Sequence, residues 1–314
     1  MSNYLVTGGG GFIGSNLVEA LLERGHAVRV LDNFSTGKRE NLQALKDKIN
    51  LIEGDLTQLE DVRCAVEDMD IVLHHGAIAS VPRSVEDPIG CNAANVNATL
   101  NVLVASHDAH VKRVVFASSS SIYGDQDPEA PKVETMLPKP ISPYGVAKMA
   151  AESYCQVFYQ VYGLETVALR YFNVFGPRQD PQSMYAAVIP RFITALLHGD
   201  APTIYGDGEQ TRDFTYVGNV IAGNLRAAEA PANMVAGQIF NLAAGGQTSL
   251  NDLVDVLHEV IGSNVKPDYV AARAGDIKHS KADIKKAEQQ MGYTPENSFL
   301  EGIRQTVDWY RKRS

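Results

Sequence analysis

Cysteine is scarce in this chain, with three among 314 residues, Cys64, Cys91 and Cys155. An odd, widely spaced set matches neither a disulfide framework nor a zinc-ligand spacing. The cysteines read as buried thiols in a reducing compartment, no metal is expected, and the cytoplasm is the expected location. No apolar run approaches the roughly 20 residues of a membrane span, so no membrane partner is expected. The opening MSNYLVTGGGG lacks the basic flank and small-residue cleavage site of a signal peptide. Positive charge is also short: 28 Lys and Arg face 37 Asp and Glu, a formal charge of −9, and the basic residues form no stripe. A nucleic-acid surface is therefore excluded, and any bound anion must be met by arginines gathered locally. What is plentiful is apolar content, at 45%, enough for a substantial core in one large domain or two ordinary ones.

Short β-branched runs alternate with helical segments through the first half. YLVTG, AVRVLD, INLIEGD, DIVLHHGA, KRVVFASS and ETVALRYFN suit strands of a parallel sheet buried on both faces. Between them FIGSNLVEALLERG, QLEDVRCAVED, NAANVNATLNVLVASHDA and SPYGVAKMAAESYCQVFYQVYG carry helical spacing. Repeated units of this kind predict an α/β fold, a Rossmann-type doubly wound parallel sheet. After Phe175 the rhythm breaks into turn-rich GPRQDPQ and YGDGEQTRD. Residues 1–175 are expected to form the dinucleotide domain, with a return near 213–243, and residues 176–314 mainly a smaller C-terminal lobe.

TGGGGFIGSN follows the first strand and opens the first helix, with glycines at Gly8, Gly11 and Gly14. Such a loop turns tightly, lets backbone approach a pyrophosphate and presents free N–H groups at a helix N-terminus. Asp32 ends the second strand, 18 positions beyond Gly14, where a carboxylate holds a ribose diol and repels a 2′-phosphate. NAD is favoured over NADP. Asp55, in EGDL, ends the third strand and could face the adenine.

ISPYGVAKMAAE places Pro143 in the first turn of a helix with Ser142 as a possible N-cap. Tyr144 and Lys148 then lie at i and i+4 on one face. A nearby ammonium and a positive nicotinamide ring both favour phenolate, as a phenol of ordinary pKa about 10 needs if it is to act as a base. Upstream, FASSSSIYG puts serine hydroxyls at the carboxyl edge of the sheet, where ligands bind in such folds. A Ser–Tyr–Lys set beside a nicotinamide makes a hydride-transfer site.

TGGGGFIGS, SSSSIYG, SPYGVAK and RYFNVFGPRQ together resemble the extended short-chain dehydrogenase/reductase family over essentially the whole chain. Within it, SVPRSVEDP, MYAAVIPRF, YGDGEQTRDF and ARAGDIKHSKAD are most similar to the nucleotide-sugar 4-epimerases, in particular the UDP-N-acetylglucosamine 4-epimerase branch. The resemblance implies NAD-dependent inversion at C4 of a UDP-sugar through a 4-keto sugar. Tyr144 would be the base, Ser119 (counted back from IYG) would bond the C4 hydroxyl, and Lys148 would hold the nicotinamide ribose. It implies cofactor contacts at Phe12, Ile13, Asn33, Ser35, Thr36, Gly37, Leu56, His75, Ala77, Ala79, Asn95 and Tyr171, beside the glycines, Asp32 and Asp55. It further implies substrate contacts at Ser84, Ser121, Asn173, Ala187, Val188, Tyr205, Arg212, Arg273, Asp276 and Ser280. Dehydratases of this family put an Asp–Glu pair where this chain has Ser120 and Ser121, and decarboxylases a Glu at Ile122. A UDP-glucuronate epimerase needs no extra acid and stays open, and a non-catalytic regulator would lack the Tyr–Lys pair. Family likeness also implies a homodimer formed through helices such as 142–162.

Overall fold

The alternation of Tyr4 and Val6 with Leu5 along the first strand sends side chains into two different cores, one on each face of a sheet. This computed structural model describes residues 1–127, 130–181, 187–272 and 278–313. Its main sheet has seven strands, all parallel. Across the sheet they run Gln238–Leu242, Glu165–Tyr171, Arg113–Ser119, Ile71–His74, Asn3–Thr7, Ala27–Asp32 and Asn50–Glu53. The order reverses on either side of Asn3–Thr7, so the carboxyl ends at Thr7 and His74 border a topological switch point, the crevice where such sheets bind ligands. The fold is the expected Rossmann-type α/β architecture.

One strand departs from the sequence reading. Asn50–Glu53 was expected to be buried on both faces, yet it forms the sheet edge and exposes Leu51 by 40%. The strand also ends at Glu53, so Asp55 stands in the loop beyond it. The segment from Ala93 is likewise not a plain helix: a π-helical turn, Ala93–Asn97, precedes the regular helix Ala98–Asp108.

Helix Pro143–Tyr162 starts because Ser142 Oγ accepts from the Gly145 N–H at 3.1 Å and proline occupies the first turn. It stops at Gly163, whose φ of +73° is the left-handed cap. Ala147, Lys148, Ala151, Glu152, Cys155 and Phe158 bury one face against the sheet, while Val146, Tyr154, Val157 and Val161 on the other are exposed.

Beyond Phe175 a separate core gathers Ile189, Phe192, Ile193, Leu253, Leu257, Ile303 and Val307. They come from helices Val188–His198, Leu250–Ile261 and Phe299–Arg311, the last two opened by capping boxes at Ser249 and Ser298. Between these elements, helix Val217–Glu229 and strand Gln238–Leu242 lie against the large sheet.

Candidate active site

The glycine loop is packed to its limit. A Cβ on Gly8, whose φ is +67°, would lie 2.6 Å from the Gly76 nitrogen, and one on Gly14 would lie 2.2 Å from the Gly8 carbonyl oxygen. Helix Phe12–Glu23 follows with Gly11 at its N-cap and with no side-chain cap or acidic residue in the first turn. Its N–H groups around Phe12 and Ile13 are thus left free of a side-chain cap and suited to an anion. Asp32 Oδ2 accepts from the Gly10 N–H and Oδ1 from the Phe34 N–H, both at 2.8 Å, which fixes the carboxylate beside the loop. Asn33 donates to Asp55 Oδ2 at 3.1 Å, bringing those two expected contacts together. Hydrogen bonds from Thr57 hold the Asp55 carboxyl below its ordinary pKa. Ser35 and Thr36 are exposed, and the segment leading to Gly37 returns to the glycine loop through Lys38 N–H, 2.9 Å from Gly10 O. Leu56 packs on Gly76, where a Cβ would strike it.

At the switch point His74 lies between the hydroxyls of Thr7, at 2.7 Å, and Thr99, at 3.0 Å. Tyr171 donates its hydroxyl proton to Asn224 Oδ1 at 2.9 Å, so it accepts from His75 Nε2, also at 2.9 Å, and His75 carries its proton there. Burial pushes the His75 pKa down to about 4, keeping it neutral. Asn95 donates to the carbonyls of Ile78 and Cys91, holding the loop that carries Ala77 and Ala79.

Ser119, Tyr144 and Lys148 come together at the same edge. Ser119 is near enough to the Tyr144 hydroxyl to pull its pKa down, and Lys148 Nζ lies 5.9 Å from the Tyr144 ring centre while donating to Ala117 O at 2.9 Å. The electrostatics differ from the sequence expectation. Burial raises the Tyr144 phenol to about 12, against the pull of Ser119. Burial also lowers Lys148 to about 8. Proximity to the lysine does not offset desolvation in this pocket. Ser121 Oγ is fully enclosed and has no hydrogen-bond partner among the described residues.

Ser84 takes a different place from the one expected. It is fully buried, donates to Val81 O at 2.6 Å and accepts the Tyr144 N–H at 3.1 Å. Its hydroxyl thus reaches the site only through the backbone of Tyr144. Behind the helix, sequence reasoning missed a buried pair: Glu152 binds Arg170 at 2.5 Å and accepts from Ser118 at 2.8 Å. The sequence signal for that pair is a carboxylate one turn beyond Lys148 on its buried face.

In the second lobe a cavity of about 260 Å³ is lined by Asn173, Ala187, Val188, Tyr205 and Arg212, five of the expected substrate contacts, together with Arg191, Phe192, Gln210, Phe214 and Leu250. That is smaller than the roughly 300–1,000 Å³ of pockets that hold a whole drug-sized ligand, which suits one end of a nucleotide sugar. Asn173 has a positive φ of 33° and accepts the Thr215 N–H through its carbonyl, where the chain crosses from sheet to lobe. Ser280 is tied to the adjoining strand through its N–H to Thr211 O at 3.2 Å, and Arg212 donates to the Lys278 carbonyl at 3.3 Å. Buried Asp213 clasps the same region, accepting N–H groups of Ala244, Gly245 and Ala282. Arg273 and Asp276 lie outside the described residues.

The model of the NAD dependent epimerase/dehydratase family matches residues 4–243. The chain belongs to that family. It is similar to UDP-N-acetylglucosamine 4-epimerase from Methanobrevibacter ruminantium M1, solved in complex with UDP-N-acetylmuramic acid. That structure is 42% identical, with a TM-score of 0.94 over 100% of this chain and 99% of that one. UDP-glucose 4-epimerase of Thermus thermophilus, solved with NAD, is 38% identical, with a TM-score of 0.90 over 99% of this chain and 100% of that one. UDP-glucuronate 4-epimerase of Thermodesulfobacterium geofontis is 36% identical over 99% of this chain and 97% of its own. The family's cofactor is NAD, and the residues present fit it: a cradle that any Cβ would fill, an uncapped helix N-terminus and a fixed carboxylate at Asp32.

Proposed function

We propose that this protein interconverts the C4 epimers of a UDP-sugar, taking UDP-GlcNAc and UDP-GalNAc, with UDP-glucose and UDP-galactose as weaker or comparable substrates. The observation that carries the reading is the convergence of Ser119, Tyr144 and Lys148 at the sheet edge that also holds the glycine cradle. Gly8, Gly11, Gly14, Asp32 and Lys148 would hold NAD, which when bound supplies reversible hydride acceptance at the sugar carbon. Tyr144 Oη takes the proton of the C4 hydroxyl and later returns it, and Ser119 fixes that hydroxyl by a hydrogen bond. Ser121, in the short turn that follows Ser119, binds a further sugar hydroxyl. Arg212 meets the diphosphate, for which the guanidinium fork is suited, and Tyr205 lies against the base.

Elimination of water would need acids where Ser120 and Ser121 stand, and decarboxylation would need one at Ile122, so epimerisation is the supported chemistry. The choice of sugar rests on Ser280, a small residue pinned beside Arg212 that leaves room for a 2-acetamido group. Two copies pair through the exposed face of helix Pro143–Tyr162, where Val157 is 45% and Val161 66% exposed.

The test is incubation with UDP-GlcNAc, UDP-glucose and UDP-glucuronate, followed by separation of the C4 epimers. Ser280→Tyr should abolish turnover of the acetylated pair by overpacking while sparing the plain hexoses. An unchanged ratio of the two activities would show that Ser280 is not the gate, and turnover of UDP-glucuronate alone would replace the proposed substrate.

A further inference from the structure

We infer that Gln210 reads the base of the nucleotide, selecting a ring that presents an N–H donor, as uracil and thymine do at N3, over cytosine, which presents a lone pair there. This rests on the UDP-sugar reading and adds to it the atom that recognises the pyrimidine. Gln210 lines the 260 Å³ cavity and is only 9% exposed. Its Nε2 donates to the Tyr205 carbonyl at 2.7 Å. A backbone carbonyl can only accept, so this bond settles which end of the amide is which.

The other end, Oε1, meets no donor among the described residues, and it is not among the fully enclosed polar atoms that lack partners. On a side chain this buried, the remaining opening is the cavity. Around it stand Phe175, Val188, Ile189, Phe192, Phe214 and Leu250, which offer no hydrogen bond, and the polar side chains of Asn173, Thr203 and Tyr205. A fixed acceptor on a largely apolar wall discriminates, because a ligand acceptor placed against it leaves two polar atoms unpaired. Arg191 and Arg212, also on the wall, carry donors only and cannot make this distinction. On the same wall, Asn173 lies two residues beyond Tyr171, which is bonded to His75, whereas Gln210 is bonded to Tyr205.

Calorimetry of the NAD-loaded protein with UDP, CDP and 3-methyl-UDP tests the assignment. The wild type should bind UDP about tenfold or more tighter than either of the others. Gln210→Met should weaken UDP by about that factor, to the level of CDP, and leave CDP and 3-methyl-UDP unchanged. Equal weakening of all three would overturn the inference and reduce Gln210 to a prop for the Tyr205 carbonyl. Equal wild-type affinity for UDP and 3-methyl-UDP would overturn it too, and that comparison needs no variant to fold. Failure of the wild type to bind any of the three diphosphates would instead remove the UDP-sugar reading on which it stands.

Discussion

Replacing Glu152 by Gln tests how the helix that carries Tyr144 and Lys148 is held against the sheet. The carboxylate is 3% exposed; Oε1 lies 2.5 Å from Arg170 Nη2, while Oε2 accepts from Arg170 Nε at 3.0 Å and Ser118 Oγ at 2.8 Å. Arg170 is itself 2% exposed and reaches on to the Tyr123 hydroxyl at 2.8 Å, which in turn donates to Asn241 at 2.6 Å. Burial opposes the guanidinium charge, but Glu152 and Tyr123 hold it more firmly protonated than usual. Gln keeps the shape, removes the charge and turns an NH₂ toward donors, leaving a buried cation unpaired. Breaking such a pair costs about 3–5 kcal/mol. For a chain of this length that corresponds to a loss of roughly 5–8 °C in Tm. The double variant Glu152→Leu with Arg170→Met removes both charges and should recover most of the loss, since buried pairs exchanged for apolar residues are often neutral. The assay is thermal unfolding of NAD-loaded wild type, single and double variants. A Glu152→Gln protein melting within about a degree of wild type, or a double variant no better than the single, would refute the reasoning.

Tyr144→Phe removes only the hydroxyl near Ser119. Turnover should fall roughly 10²–10⁴-fold with NAD still bound, and a folded, NAD-loaded variant with unchanged activity would end the assignment. Lys148→Met probes the pH linkage of the buried lysine. Its folded pKa of about 8 lies below the ordinary value of 10.5, so in that window the unfolded chain carries the proton and the folded chain does not. Unfolding free energy of wild type relative to the variant should therefore climb by about 3 kcal/mol between those pH values, and a flat difference across denaturant titrations would contradict it.

What the sequence revealed depends on how far apart the interacting residues lie. The glycine loop, Asp32 at its strand end, the Ser142 cap and the Tyr144–Lys148 spacing are local patterns, and the structure places each at the expected point of the backbone. The bonds that hold the site in place join distant residues of ordinary local appearance. Ser84 lies 60 positions from Tyr144, and Asp213 lies 69 from Ala282. Nothing in SVPRSVE distinguishes a serine that contacts a ligand from one that binds the Tyr144 backbone. The exposed third strand escaped notice for a similar reason, since NLIE has an apolar centre and only its position at the sheet edge exposes it.

The same limit explains why burial at Tyr144 and Lys148 works against the reading from spacing. On a solvated helix, a lysine four residues from a tyrosine would help the phenol ionise. Here both groups are buried, and desolvation penalises charge on each, raising Tyr144 to about 12 and lowering Lys148 to about 8. At pH 7 the lysine is still largely protonated and the phenol is neutral, about five units below its pKa, so ionising it against that burial costs about 7 kcal/mol. Ser119 already lowers the pKa and does not close that gap. On the proposed function, the missing stabilisation would come from the positive nicotinamide of NAD at the Tyr144 end of the site. The burial that makes Tyr144 a poor base on its own also lets such a charge act at low dielectric, where its effect is several-fold stronger than in water. On the proposed function, proton removal would thereby be confined to the loaded site, and the helix carrying Tyr144 would rest in place without an unstable phenolate.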